Sequence, residues 1–166
     1  MSASYVDAIS TYFPSRRVSA GGDGFEYSLL VAEDGLPLPP QGELDTLKLT
    51  LARERKWREI QAMRDFRRMN GVKIGNNWFH SDDTSRIQHL GLLLMGANMP
   101  QNVMWKTLTN DFVLMTPQLA QQIFMAVGAL DMQIFAVAEG HKRNMLQSAN
   151  PTTYDFSTGW PPTFGE

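Results

Sequence analysis

The stretch Asn76-Asn77-Trp78-Phe79-His80-Ser81-Asp82-Asp83-Thr84-Ser85 sets a histidine, two aspartates and a serine within a few positions of one another. Such residues serve general acid–base catalysis, nucleophilic attack or metal ligation. A Ser–His–Asp site needs its nucleophile on an oriented turn, and no G-x-S-x-G or equivalent is present. A metal site needs a third and a fourth ligand. His89 and His141 are available, but neither stands in a ligand spacing such as H-E-x-x-H. The chain has no cysteine, which excludes disulfides, thiol catalysis and thiolate metal sites.

What the spacing fits is the start of a helix. Ser81 or Asp82 stands at the N-cap, where a side-chain oxygen accepts from a free backbone N–H two or three residues on, worth roughly 1 kcal/mol. The neighbouring carboxylate gains from the helix dipole. Both aspartates are thereby explained without chemistry, and a small hydrolase using His80 and Asp82 is only the minor alternative. Elsewhere, Gly21-Gly22-Asp23-Gly24 is neither a P-loop nor a dinucleotide fingerprint and reads as a hairpin turn. No paired carboxylates sit where one could be kept protonated. The expectation is a protein that is not an enzyme and takes no metal and no cofactor.

The elements that position these residues follow from periodicity. Residues 16–32 read as a hairpin, with Phe25, Tyr27, Leu29 and Val31 alternating along the returning strand. Pro37, Pro39 and Pro40 then break regular structure and set a module boundary. A helix rich in good formers runs from Leu44 to about Met69. Its apolar face moves: Leu44, Leu47 and Leu51 lie on one side, and Trp57, Ile60 and Met63 on nearly the opposite side. The second set suits its own domain. The leucines suit another chain or an N-terminal module, with a kink inside one domain as the alternative.

Beyond Asn70-Gly71 the pattern predicts strands Val72 to Ile74 and Trp78 to His80, then a helix from about Asp83 to Ala97. A second hairpin follows, Val103 to Thr107 with Phe112 to Met115, and Thr116-Pro117 caps a long helix to about Gln147. The fold class is α+β: an N-terminal β arm and linker over 1–40, a linking helix over 44–69, a hairpin–helix–hairpin–long helix domain over 70–148, and an extended tail over 149–166. The tail carries Tyr154, Phe156, Trp160 and Phe164 among prolines and glycines, so it belongs in a groove of this domain or of a partner.

Charge and composition narrow the partners. A net charge of −2 over 166 residues lacks the basic excess of a nucleic-acid binder. The run Lys48, Arg53, Arg55, Lys56, Arg58, Arg64, Arg67 and Arg68 reads as a solvated face with local pairs such as Glu54–Arg58. Nucleic acid is not an expected partner. Leu119 to Ala138 is apolar, yet Gln121, Gln122, Asp131 and Gln133 argue against a membrane span.

Apolar surface is in excess. Between Asp83 and Ala97 the stripe Ile87, Leu90 and Leu94 is joined by Leu92, Leu93 and Met95, with Gly91 and Gly96 open to a close approach. In the long helix Phe124, Met125, Met132 and Phe135 point away from the stripe Leu119, Ile123, Val127, Leu130, Ile134 and Val137. With ten methionines as adaptable surface, these helices point to a homo-oligomer or a stable hetero-complex.

The run Arg64-Asp65-Phe66-Arg67-Arg68, the stretch Gly71 to Arg86 with its S-D-D-T-S-R step, and Trp105-Lys106-Thr107 followed by Asn110-Asp111-Phe112 resemble an uncharacterised domain family of tailed bacteriophages. The resemblance spans roughly residues 50–148, and Gly159-Trp160-Pro161-Pro162 is similar to the ends of fibre-assembly chaperones. It implies a non-enzymatic tail protein, in tail-fibre assembly as a chaperone-like binder of fibre protein, or as a structural virion subunit at the fibre–baseplate junction. The location it implies is the virion tail, or the host-cell cytoplasm during assembly. Leu44, Leu47, Leu51, Tyr154, Phe156, Trp160 and Phe164 are then the expected partner-binding residues, and Ser81, Asp82 and Thr116 the structural caps.

Overall fold

The computed structural model describes residues 2–166. Helix α1 spans Tyr5–Tyr12, β1 Val18–Ala20, β2 Leu30–Ala32, α2 Gln41–Met69, β3 Val72–Ile74 and β4 Asn77–Phe79. Then come α3 over Asp83–Met95, β5 over Met104–Lys106, β6 over Phe112–Leu114 and α4 over Pro117–Gln147. Helices and small antiparallel strand pairs make this an α+β protein. Each sheet has two strands: β1 with β2, β3 with β4, and β5 with β6. Two compact units result: the chain up to Glu59 with Lys142–Asp155, and Ile60–His141 with Phe156–Glu166. The division falls within α2 and α4, not at the prolines, because the leucine half of α2 packs with the N-terminal segment.

The first unit is organised by α1, which periodicity alone did not reveal. Ser4 and Asp7 form a reciprocal capping box, each side chain accepting from the other's backbone N–H. Buried Tyr5, Ile9, Leu30 and Leu44 make one core cluster, and Ala3, Leu51 and Ala52 a second. The Tyr5 hydroxyl donates to Asp45 on α2, and Lys48 lies 3.6 Å over its ring. Arg16 clamps the loop after β2, meeting Asp34 at 2.6 Å and donating to the carbonyls of Leu36 and Pro37. Near the end of α4, Lys142 sits 4.6 Å over Trp57 and Arg53 donates to the Leu146 carbonyl.

The hairpin here is shorter than alternation predicts. Only Leu30–Ala32 pairs with β1, and Tyr27–Leu29 form one turn of 3-10 helix. Helix α1 draws the segment away from β1. The Gly24 carbonyl accepts from Tyr5 N–H, and Tyr27 packs edge-on to Tyr5 while its hydroxyl donates to Pro39. A Cβ on Gly24 would come 2.9 Å from Val6, so this approach requires glycine.

In the second unit α4 lays Ala120, Ile123, Val127, Leu130 and Ile134 against Val72 and Phe79 of the β3–β4 hairpin and against Met99 and Met115. The hairpins are joined where Leu108 N–H donates to the Trp78 carbonyl at 2.8 Å. Strand β4 ends at Phe79, one residue earlier than alternation placed it. The tail closes on the end of α2. Phe164 N–H donates to the Asn70 carbonyl, Asn70 Nδ2 donates back to the Phe164 carbonyl, and Arg67 pairs with Glu166 at 2.7 Å.

Candidate functional site

The His80–Ser85 stretch is built as a joint. Asp82 is the N-cap of α3: one carboxylate oxygen accepts from Ser85 N–H at 3.0 Å and the other from the Ser85 hydroxyl at 2.6 Å. The Ser85 hydroxyl bond, helped by the backbone, holds the Asp82 carboxyl below its usual range. Ser81 is not the cap. It is fully buried, accepts from Gly71 N–H and donates to the Arg68 carbonyl, so it ties the end of α2 to the loop before α3. Thr116 caps α4 by accepting from Leu119 N–H at 3.1 Å.

Arg86 completes the joint. Its guanidinium donates to the carbonyls of Ser81 and Arg68 and forms a two-pronged pair with Asp131 of α4 at 2.6 and 2.9 Å. Arg68 adds a longer contact to Asp131 at 3.4 Å. The S-D-D-T-S-R step thus locks α2, α3 and α4 together within one unit. Spacing could not reveal this, because Arg86 and Asp131 are 45 residues apart.

The other histidines are engaged elsewhere. His89 is buried against Trp105, ring centroids 4.9 Å apart, and neither ring nitrogen has a hydrogen-bond partner among the described residues. Burial, with a smaller contribution from His80, pulls its pKa down to about 4, so it is neutral near pH 7. His141 contacts the tail, its Nε2 2.9 Å from the Thr158 carbonyl and its ring 5.4 Å from Trp160.

The expected partner-binding leucines serve the chain's own core. Leu44 and Leu51 are buried, and Leu47 packs against the Tyr5–Ile9–Leu30 cluster. The N-terminal helix, absent from the sequence reading, is what covers them. Two tail aromatics are likewise engaged within the second unit. Trp160 packs on the α4 core and donates to the Phe156 carbonyl at 2.7 Å, and Phe164 stacks edge-on to Trp78. Tyr154 and Phe156 are half-buried.

Apolar side chains stay open in both units, Val31 and Leu36 in the first and a larger set on the outer surface of the second. Ile87, Leu90 and Leu94 on α3 are exposed, as are Phe124, Met125, Met132 and Phe135 on α4. Met104, Phe112 and Leu114 line the outer face of the β5–β6 hairpin. Between α3 and α4 lies a groove of about 230 Å³ lined by Arg86, His89, Phe124, Val127 and Gly128. Its wall is mainly apolar, with the arginine already held by Asp131. Such a groove suits an apolar side chain better than a charged ligand. By length and composition α4 is also apolar enough to cross a membrane.

No curated protein and no solved structure matches the chain. Residues 51–158, more than half of the sequence, match the family described as Domain of unknown function (DUF4376), and the chain belongs to that family.

Proposed function

We propose that this protein works by binding other protein chains, without catalysis, and that its setting is bacteriophage tail-fibre assembly, where it acts as a chaperone-like binder of fibre protein. The observation that carries the binding reading is the open apolar surface of α3, α4 and the β5–β6 hairpin. Soluble proteins rarely leave contiguous apolar patches uncovered unless something docks there. Of the residues that suggested chemistry, Asp82 has both carboxylate oxygens taken by Ser85, and Ser81 bridges Gly71 and Arg68. The tail-fibre setting rests on the likeness of the Gly71–Arg86 stretch to tailed-phage domains. In this reading the protein resides in the host cytoplasm during assembly and touches neither membrane nor nucleic acid.

Quantitative mass spectrometry of purified virions beside the infected-cell lysate tests the proposal. The expected result is absence from virions, with recovery on fibre protein in the lysate and a larger soluble fibre yield on co-expression. Whole-number copies in virions would replace it with a structural subunit at the fibre–baseplate junction. Loss of function on His80→Ala with Asp82→Ala, at unchanged thermal stability, would instead restore the hydrolase.

A further inference from the structure

Residues 121, 124, 125, 128, 131, 132 and 135 of α4 share one flank beside the buried stripe, at about 100° per residue. On it Phe124 is 45% exposed, Met125 66%, Met132 71% and Phe135 41%, and Leu90, one turn along α3 from Arg86, is 41% exposed. Counting roughly 200 Å² for a fully exposed side chain of this size, the four on α4 present on the order of 450 Å² of apolar surface. A standard interface takes about 800 Å² from each partner, somewhat over half of it apolar, so this flank alone supplies the apolar share.

Gly128 lies at the centre of that flank. A mid-helix glycine costs up to about 1 kcal/mol relative to alanine. Outside its own helix nothing comes within 4 Å of the place where its Cβ would be, as is also true of Gly42, Gly91 and Gly140, so the space over Gly128 is open to a second backbone. A second backbone passing close to it would account for the glycine.

We infer that the α4 flank centred on Gly128 is an interface between two copies of this chain, with the α4 helices antiparallel about a two-fold axis through Gly128. The flank is self-complementary in the way such an axis requires. Gly128 meets the partner's Gly128, Phe124 the partner's Met132, Phe135 the partner's Gln121, and Met125 the partner's Asp131. The one carboxylate on the flank, Asp131, is neutralised within its own chain by Arg86 and Arg68, so two copies meet without like-charge repulsion. This inference rests on the same open surface as the binding proposal: it assigns the α4 flank to a second copy and leaves the β5–β6 face with Met104, Phe112 and Leu114 to the other protein partner.

Sedimentation equilibrium of the full chain, with and without phosphatidylcholine vesicles, tests it beside Met132→Glu and Gly128→Leu. The wild type is expected at twice 18.7 kDa without lipid. Met132→Glu is expected to weaken the dimer at least about tenfold while helix content is unchanged. Gly128→Leu fills open space and favours helix, so it is expected to melt at a higher temperature as a monomer and yet lose the dimer. A wild type of 18.7 kDa at every concentration overturns the inference, as does a dimer that survives both substitutions. Sedimentation only with the vesicles, without self-association, overturns it in favour of a lipid-facing α4.

Discussion

Two apolar faces of this chain look alike in sequence and differ in what covers them. Leu44, Leu47 and Leu51 recur at helical spacing on α2, and Phe124, Met125, Met132 and Phe135 do so on α4. The first set is covered by α1 and β2 of its own unit, whereas the second lies open. The difference is not hydrophobicity. It is whether the chain also supplies a segment to cover the face. Here α1, docked through Tyr5–Asp45 and capped by Ser4, is that segment for α2. On the Gly128 flank of α4 the guanidinium groups of Arg64 and Arg68 lie 4.8 and 5.7 Å over Phe135, while Phe124, Met125 and Met132 stay exposed.

Substitutions can break the comparison from either side. The largest effect is expected at Leu44→Ala, which empties a fully buried site and should cost roughly 2–5 kcal/mol in urea unfolding, with no change in native mass. A change of mass with little loss of stability would move the leucines back to a partner interface.

Acid should separate the two regions next. Below the groove, His89 is neutral in the folded state with a pKa of about 4 against an ordinary 6.5. The unfolded chain therefore takes up a proton first as pH falls. His89's share of stability is complete above about 6.5, declines down to about 4 and is lost below, an amount on the order of 3 kcal/mol. In the first unit the Arg16 guanidinium holds Asp34 well below the usual carboxylate range, and Ser4 with Arg55 holds Asp7 below it. Those contributions persist through that window and are lost only at lower pH, below the ordinary carboxylate value of 3.8. Resolved amide resonances of the two units followed by NMR between pH 7 and 4 should show the second unit loosening first. His89→Gln should flatten that decline.

Asp82→Ala should cost roughly 0.5–2 kcal/mol in thermal unfolding, since only the α3 cap is lost. At the small end, Met125→Ser should change monomer stability by less than about 0.5 kcal/mol, because an exposed methionine contributes little to the fold. Its effect belongs in association.

Much of this arrangement was legible in the sequence where the signal is local. The two long helices, the β3–β4 and β5–β6 hairpins and the caps at Asp82 and Thr116 all follow from periodicity and from oxygen-bearing residues before apolar runs. The S-x-x-D pattern at Ser4 and Asp7 is equally local and marks α1, but so short a helix has too few turns for its apolar spacing to stand out. Contacts made across the chain left no such trace. Arg86–Asp131, Arg67–Glu166 and the Ser81 bridge to Gly71 and Arg68 join residues whose spacing in sequence carries no information. The same holds for the leucine stripe: periodicity reports that a face is apolar, not which chain covers it.

Methionine oxidation footprinting of the native full chain over a range of concentration tests the central claim most directly. Met125 and Met132 are exposed on the α4 flank, whereas Met104 is exposed on a different element, the β5–β6 hairpin. The account predicts that Met125 and Met132 lose reactivity as concentration rises while Met104 keeps its own. Equal reactivity of all three at every concentration would show that the α4 flank meets no second copy.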